Sequence, residues 1–280
     1  MRRELAIVLR APVTWAIATI SALLIGHGFV LAVDLYSASS RSALLSQLQV
    51  REMDPLAGIV RPTLGGLDLA ISILVPLVAV RALAIEKERR TFGALCLEAR
   101  SSNSVIIKKF LASLTATAPV LLCPLLLWTC FIWVGGTLDV IESAVAWFGE
   151  VLHLVLAVAI GTLAAAWTRT LAQAASLALV LSLSAWAIDA SEGFAALAWL
   201  GGASAWSVEQ HLAPFQRGIL SLGSFAWLLT AIAGSLAVSF AGAQFCISSK
   251  MRVSPSSSDV SFCSAGSLDQ CRLAKELRLE

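Results

Sequence analysis

The sequence predicts an all-α integral membrane protein with six transmembrane helices. Three observations carry that expectation. Of 280 residues, 58% are hydrophobic and 14% charged, against about 25% charged in an ordinary soluble domain. Six apolar runs each approach the ~20 residues a helix needs to cross the hydrocarbon core. The basic residues between these runs fall almost entirely on one side, as the positive-inside rule requires of a polytopic chain.

The six runs lie at about 13–33, 67–85, 110–134, 144–167, 171–190 and 222–247. The fourth and fifth are separated only by Thr168, Arg169 and Thr170. The chain opens with MRRELAIVLRAPVTW, basic like a signal peptide, but the apolar run after it is long and lacks a small-x-small cleavage site, so we expect it to be retained. With both termini inside, sixteen of the twenty Lys and Arg are cytoplasmic, leaving Arg41, Arg51, Arg61 and Arg217 outside. Pro119 and Pro124 fall inside the third run, where each removes a backbone donor and predicts a bend. Small residues recur at every fourth position, Ala231, Ser235, Ser239 and Ala243 in the sixth run and Ala157, Gly161 and Ala165 in the fourth, a spacing that lets helices approach closely. Trp15, Trp147, Trp199 and Trp206 fall near the expected interfaces. Residues 1–247 therefore form one transmembrane domain, and the serine-rich 248–280 reads as a flexible cytoplasmic tail.

Composition also excludes functions. A formal net charge of +2 argues against nucleic acid as a partner. The six cysteines contain no CxxC pair, so neither a zinc site nor a disulfide framework is expected. His27, between Gly26 and Gly28, has no second ligand at metal spacing and is expected to be a buried, hydrogen-bonded histidine. There is no G-x-x-x-x-G-K-[ST] loop to cradle phosphates. Ser204 and His211 would have to serve as nucleophile and base of an intramembrane hydrolase, but both sit in one outer loop rather than on facing helices. No catalytic, cofactor-binding or metal-ligating residue is expected.

The most informative stretch is PLVAVRALAIEKERRTFGALCLEARSSNSVIIKKFLASL, running from the second span through the cytoplasm into the third. Phe92, Leu95, Cys96 and Ala99 stand three and four apart, an apolar stripe bordered by Arg89, Arg90 and Arg100, and so predict a short amphipathic helix. Contact with the anionic inner leaflet is one role for such a helix. Glu86 and Glu88 argue otherwise, since anionic lipid would repel them; pairing with basic residues nearby or on a partner suits them better.

This stretch resembles the permeases of type-2 ATP-binding cassette (ABC) exporters, in the branch containing gliding-motility and nitrous-oxide-reductase-maturation permeases. Without a gap, Pro76, Arg81, Ala84, Glu86, Thr91, Leu95, Ser101 and Lys109 fall on positions of that branch's pattern, while Ile85, Arg90, Gly93, Ala99 and Lys108 depart from it. His211, Phe215, Gly218 and Ile219 match the stretch before the family's last span, and residues 4–29 are similar to its short amphipathic N-terminal helix and first span. The resemblance implies a cytoplasmic coupling helix between spans two and three, gripping a separate P-loop ATPase through Glu86, Glu88, Arg89, Thr91, Phe92, Leu95 and Lys109. ATP and magnesium would lie on that partner and no cofactor on this chain. It further implies a second permease copy, as homodimer or heterodimer, and residence in the bacterial inner membrane. The outer segment 191–218, broken by paired glycines, reads as an interfacial or re-entrant hairpin.

Ionisable residues inside a span are costly enough to be functional candidates. Glu150 and His153, three apart on one helical face, and Asp68, expected near the outer start of the second span, are candidates for a translocation path; the alternatives are snorkelling to the nearby outer interface for Glu150 and His153 and a plain interfacial carboxylate for Asp68. A secondary transporter or a purely structural membrane subunit are the rival readings.

Overall fold

The computed structural model describes residues 11–45, 55–88, 102–190 and 206–252. Every regular element among them is helical. In chain order these are α1 (Pro12–Leu45), a π-helical turn (Leu56–Val60) leading into α2 (Arg61–Glu88), α3 (Ser102–Thr117), a 3₁₀ turn (Ala118–Leu121), α4 (Leu122–Trp133), α5 (Val140–Trp167), α6 (Leu171–Ala190), α7 (Val208–Gln216) and α8 (Leu222–Arg252). The chain divides into two compact units, Met1–Ala243 and Gln244–Glu280. All packing below belongs to the first.

Five helical stretches are long and apolar enough to cross a bilayer: Pro12–Arg41, Leu56–Glu88, Asn103–Trp133, Val140–Trp167 and Leu222–Gly242. This is the architecture of a multi-pass membrane protein. The apolar stretch described for α6, Leu171–Ser184, is shorter than a span. The amphipathic N-terminal helix, the proposed coupling segment with Arg89, Thr91, Phe92 and Leu95, and the tail beyond Arg252 lie outside the described residues.

The second span differs most from the sequence expectation, because the helix begins well before Leu67. The π-helical turn runs without a break into α2, and Thr63 steadies the junction by donating its hydroxyl to the Ile59 carbonyl at 2.6 Å. The sequence run begins at Leu67, after the charged Arg61, whereas a helix end facing water accepts an arginine readily. Asp68 therefore sits twelve residues inside the apolar helix, about 18 Å along it at 1.5 Å per residue, and not at its outer start.

The third span changes from α to 3₁₀ geometry where its prolines lie. The 3₁₀ turn begins at Ala118, with Pro119 in its first turn and Pro124 in the first turn of α4. The indole of Trp147 on α5 donates to the Leu121 carbonyl of that turn at 3.0 Å, so a neighbouring helix supplies a donor where the regular ladder is broken. The loop that follows ends in Asp139, whose carboxylate accepts from the backbone N–H groups of Ile141 at 2.8 Å and Glu142 at 3.2 Å and so caps α5.

At the centre, α2 packs against α1, α3, α5 and α6, and α5 packs against α2, α3, α6 and α7. The α2–α5 crossing is close because Gly161 has no side chain: a Cβ there would lie 2.5 Å from the Pro76 carbonyl oxygen and 2.8 Å from the Ala79 Cβ. At one end of the bundle a second apolar cluster joins Val80, Leu83 and Ala84 of α2 to Val105 and Ile106 of α3, Ala164 to Ala166 of α5, and Ala174 and Ala178 of α6. In contrast, α1 and α8 are the least buried spans. Leu23 and Val30 of α1 and Leu222 of α8 are two-thirds exposed or more, as residues facing acyl chains should be. His27 is on that outward face, contrary to the expected buried histidine. The inward face of α1 is written by Ile17, Ser21 and Ile25, and two residues beyond Ile25 is about 200° around the helix.

Candidate functional site

Each of α2, α5 and α7 contributes polar side chains to one buried point. From α2 come Asp68 and, one turn on, Ser72; from α5 come Glu150 and His153; from α7 comes Gln216. The i, i+4 and i, i+3 spacings put each pair on one helical face. His153 Nδ1 lies 2.9 Å from Asp68 Oδ1 and 3.7 Å from Glu150 Oε2, while its Nε2 lies 3.3 Å from Ser72 Oγ. The Gln216 amide donates to Asp68 Oδ2 at 2.6 Å and to Glu150 Oε1 at 3.3 Å. Glu150 is completely buried, and Asp68, His153 and Gln216 are below a tenth exposed. Thus the three residues singled out as translocation-path candidates, 82 and 85 positions apart across two helices, converge within 4.8 Å of one another.

The short helix α7 explains why Gln216 belongs to this point. Its first residues, Val208 and Glu209, share a cleft with Leu156 and Ile160 of α5. Farther along, Phe215 packs over Gly149, where a Cβ would meet the Phe215 Cβ at 2.7 Å. Just beyond α7, Gly218 passes Glu142 with φ +75°, a conformation that glycine adopts without strain. The helix therefore runs alongside α5 from the level of Ile160 toward its N-terminal end at Glu142. Leu212 and Phe215 anchor it against Leu152, Leu156, Leu228 and Ile232.

The cleft below the polar cluster is lined by Ser72, His153, Ser182 and Glu209 among apolar residues and has about 20 Å³ of room for a water centre, enough for one water. The Ser182 hydroxyl is buried without a hydrogen-bond partner. Pro76, inside α2, supplies no N–H to the Ser72 carbonyl, leaving a backbone acceptor one turn from Asp68.

A second polar arrangement joins the end of α2 to the start of α3 and the end of α5. Lys109 of α3, almost fully buried, is ion-paired with Glu86 of α2. The Lys87 ammonium donates to the Ala166 carbonyl at the end of α5 and, at 3.4 Å, to the Thr168 carbonyl. It thereby satisfies carbonyls that a helix C-terminus leaves open. Of the residues expected to contact an ATPase, Glu86 and Lys109 thus bind each other, Glu88 is exposed at the end of α2, and the rest lie outside the described residues.

Sequence reasoning missed Ser72, Ser182 and Gln216. Ser72 had a signal, since it follows Asp68 by one turn; Gln216, an uncharged amide beside Phe215, had none. Of the hydrolase candidates, Ser204 lies outside the described residues and His211 stacks on Trp227 with ring centroids 4.2 Å apart. Comparison with protein-family models, with curated proteins and with solved structures finds no match to this chain.

Proposed function

We propose that this chain is the membrane-spanning permease subunit of an ABC exporter, coupling ATP hydrolysis by a separate P-loop ATPase to export. Its sixth span is α6, and its termini are cytoplasmic in the bacterial inner membrane. The observation that carries the reading is the inner-end clamp. Glu86–Lys109 ties α2 to α3, and Lys87 ties α2 to the end of α5, on either side of the cytoplasmic segment 89–101. A push on that segment would reach three spans at once instead of being lost in slack helix ends. Two permease copies would make the working unit, and the Asp68–Glu150–His153 cluster would lie on the path between them or within each. The resemblance of residues 76–114 to the family supports the same reading.

The test is co-purification of the ATPase with wild type and with a Phe92→Ala, Leu95→Ala double variant. Two apolar anchors, each contributing roughly 1.5–3 kcal/mol on burial, should be lost, so that association weakens by several kcal/mol and stimulated ATP hydrolysis falls away. Unchanged co-purification and hydrolysis in a correctly inserted variant would sink the reading.

One observation favours a second reading, a secondary transporter driven by an ion gradient: the buried carboxylates and imidazole far inside the spans, where such carriers keep their coupling groups. Transport by proteoliposomes holding this chain alone, driven by a proton or sodium gradient without ATP, would establish it over the exporter reading.

A further inference from the structure

We propose that Asp68, Glu150 and His153 form a binding site for one divalent transition-metal ion, with Ser72 and Gln216 holding the ligands in place. The proposal rests on the geometry of the cluster and is independent of what energy source drives the chain.

The donor atoms are already close to metal-ligand spacing. Ligands bound at about 2.0–2.2 Å around a tetrahedral ion stand roughly 3.3–3.6 Å from one another. Here His153 Nδ1 lies 2.9 Å from Asp68 Oδ1 and 3.7 Å from Glu150 Oε2, and all three donors fall within 4.8 Å of each other. Adjustments of an ångström or less in three side chains would complete the shell.

Charge points the same way. Among the described residues, His153 is the one basic side chain within ion-pair distance of either carboxylate. A divalent cation with a neutral imidazole balances two ionised carboxylates, so the filled site would carry no net buried charge. Glu150 supplies the independent observation: it is completely buried, and its Oε2, the oxygen facing His153, accepts no hydrogen bond. A buried carboxylate oxygen that accepts no hydrogen bond, 3.7 Å from the His153 Nδ1, calls for an explanation, and a bound cation supplies one.

The surroundings suit ligation by Nδ1. With Nδ1 on the metal, Nε2 carries the proton, and the Ser72 hydroxyl at 3.3 Å is placed to accept it, which fixes the tautomer as outer partners of metal-bound histidines do. One imidazole with two carboxylates suits a borderline ion such as Zn²⁺ better than Ca²⁺, which takes six to eight oxygens. Glu209 and Ser182, lining the adjacent cleft, provide an acidic and polar approach.

The test uses the full chain in detergent, in a background where all six cysteines are replaced by serine so that thiols bind nothing. After chelator treatment the protein is titrated with Zn²⁺, and bound metal is counted by elemental analysis. One ion per chain is expected, with affinity at least about tenfold weaker in Glu150→Gln and in His153→Leu. Should these variants fail to fold, X-ray absorption of the zinc-loaded cysteine-free chain still decides, since it must show a nitrogen and oxygen shell including one imidazole. No stoichiometric uptake, an uptake unchanged in folded Glu150→Gln and His153→Leu, or a shell without imidazole would each overturn the proposal.

Discussion

Lys109 is a lysine 3% exposed whose charge is answered by Glu86, 23 residues earlier on another helix. Removing one partner of a fully buried pair costs about 3–5 kcal/mol, and less where the remaining charge reaches solvent, as Glu86 does with 18% of its side chain exposed. We therefore expect Lys109→Met to destabilise the protein measurably, but by less than that, in denaturant unfolding from detergent micelles. The Lys109→Met, Glu86→Gln double variant should lose distinctly less than the two single losses added; strict additivity would show that the pair carries no coupling. Both residues were legible from sequence as ionisable groups at the inner ends of spans, but their pairing was not. Nothing in a spacing of 23 with a cytoplasmic excursion between predicts which charge meets which. The same holds for the polar cluster. Asp68, Glu150 and His153 could each be singled out because a charge inside a span is costly, yet only the folded bundle shows that they share one point. Gln216, which donates to both carboxylates, carries no charge to draw attention to it.

Helices α2 and α5 are held together through the space left by Gly161. Because a Cβ there would press on the Pro76 carbonyl and the Ala79 Cβ, Gly161→Leu should force the two helices apart. The expected result is loss of monodisperse protein on size exclusion or a destabilisation of several kcal/mol, since the clash is with backbone and cannot be relieved by a rotamer change. A normally stable Gly161→Leu protein would mean that this crossing is wider than the structure has it. The small-residue spacing in the fourth run made the close approach foreseeable, and Ser239 of the corresponding ladder in α8 is likewise fully buried. What spacing could not say is which helix fills the groove. The proline-broken third span was also foreseeable, because proline lacks the N–H whatever its surroundings. The length of the second span was not, since the sequence run begins at Leu67, after Arg61, while the backbone hydrogen bonds run on from Leu56.

For the molecule as a whole, the distribution of Lys and Arg makes a topological prediction. A reporter fused after Val134 or Ala190 should read outside, and one after Arg100 or Arg169 inside. An inside reading at Ala190 would leave α6 as a helix that does not cross and reduce the molecule to the five spans whose length and hydropathy already suffice. Membrane residence, an all-helical fold and the approximate position of five spans follow from the sequence by itself, which also makes a testable expectation of their orientation. They depend on summed hydrophobicity, on backbone hydrogen bonds that must close within each segment, and on the side of the chain that keeps its positive charge. The tertiary structure alone decided that α7 turns back along α5, that Glu86 meets Lys109, and that two carboxylates, an imidazole and an amide from three helices converge on one buried point. Such contacts join residues tens of positions apart, and helix periodicity records which face a side chain occupies but not which neighbour that face will meet.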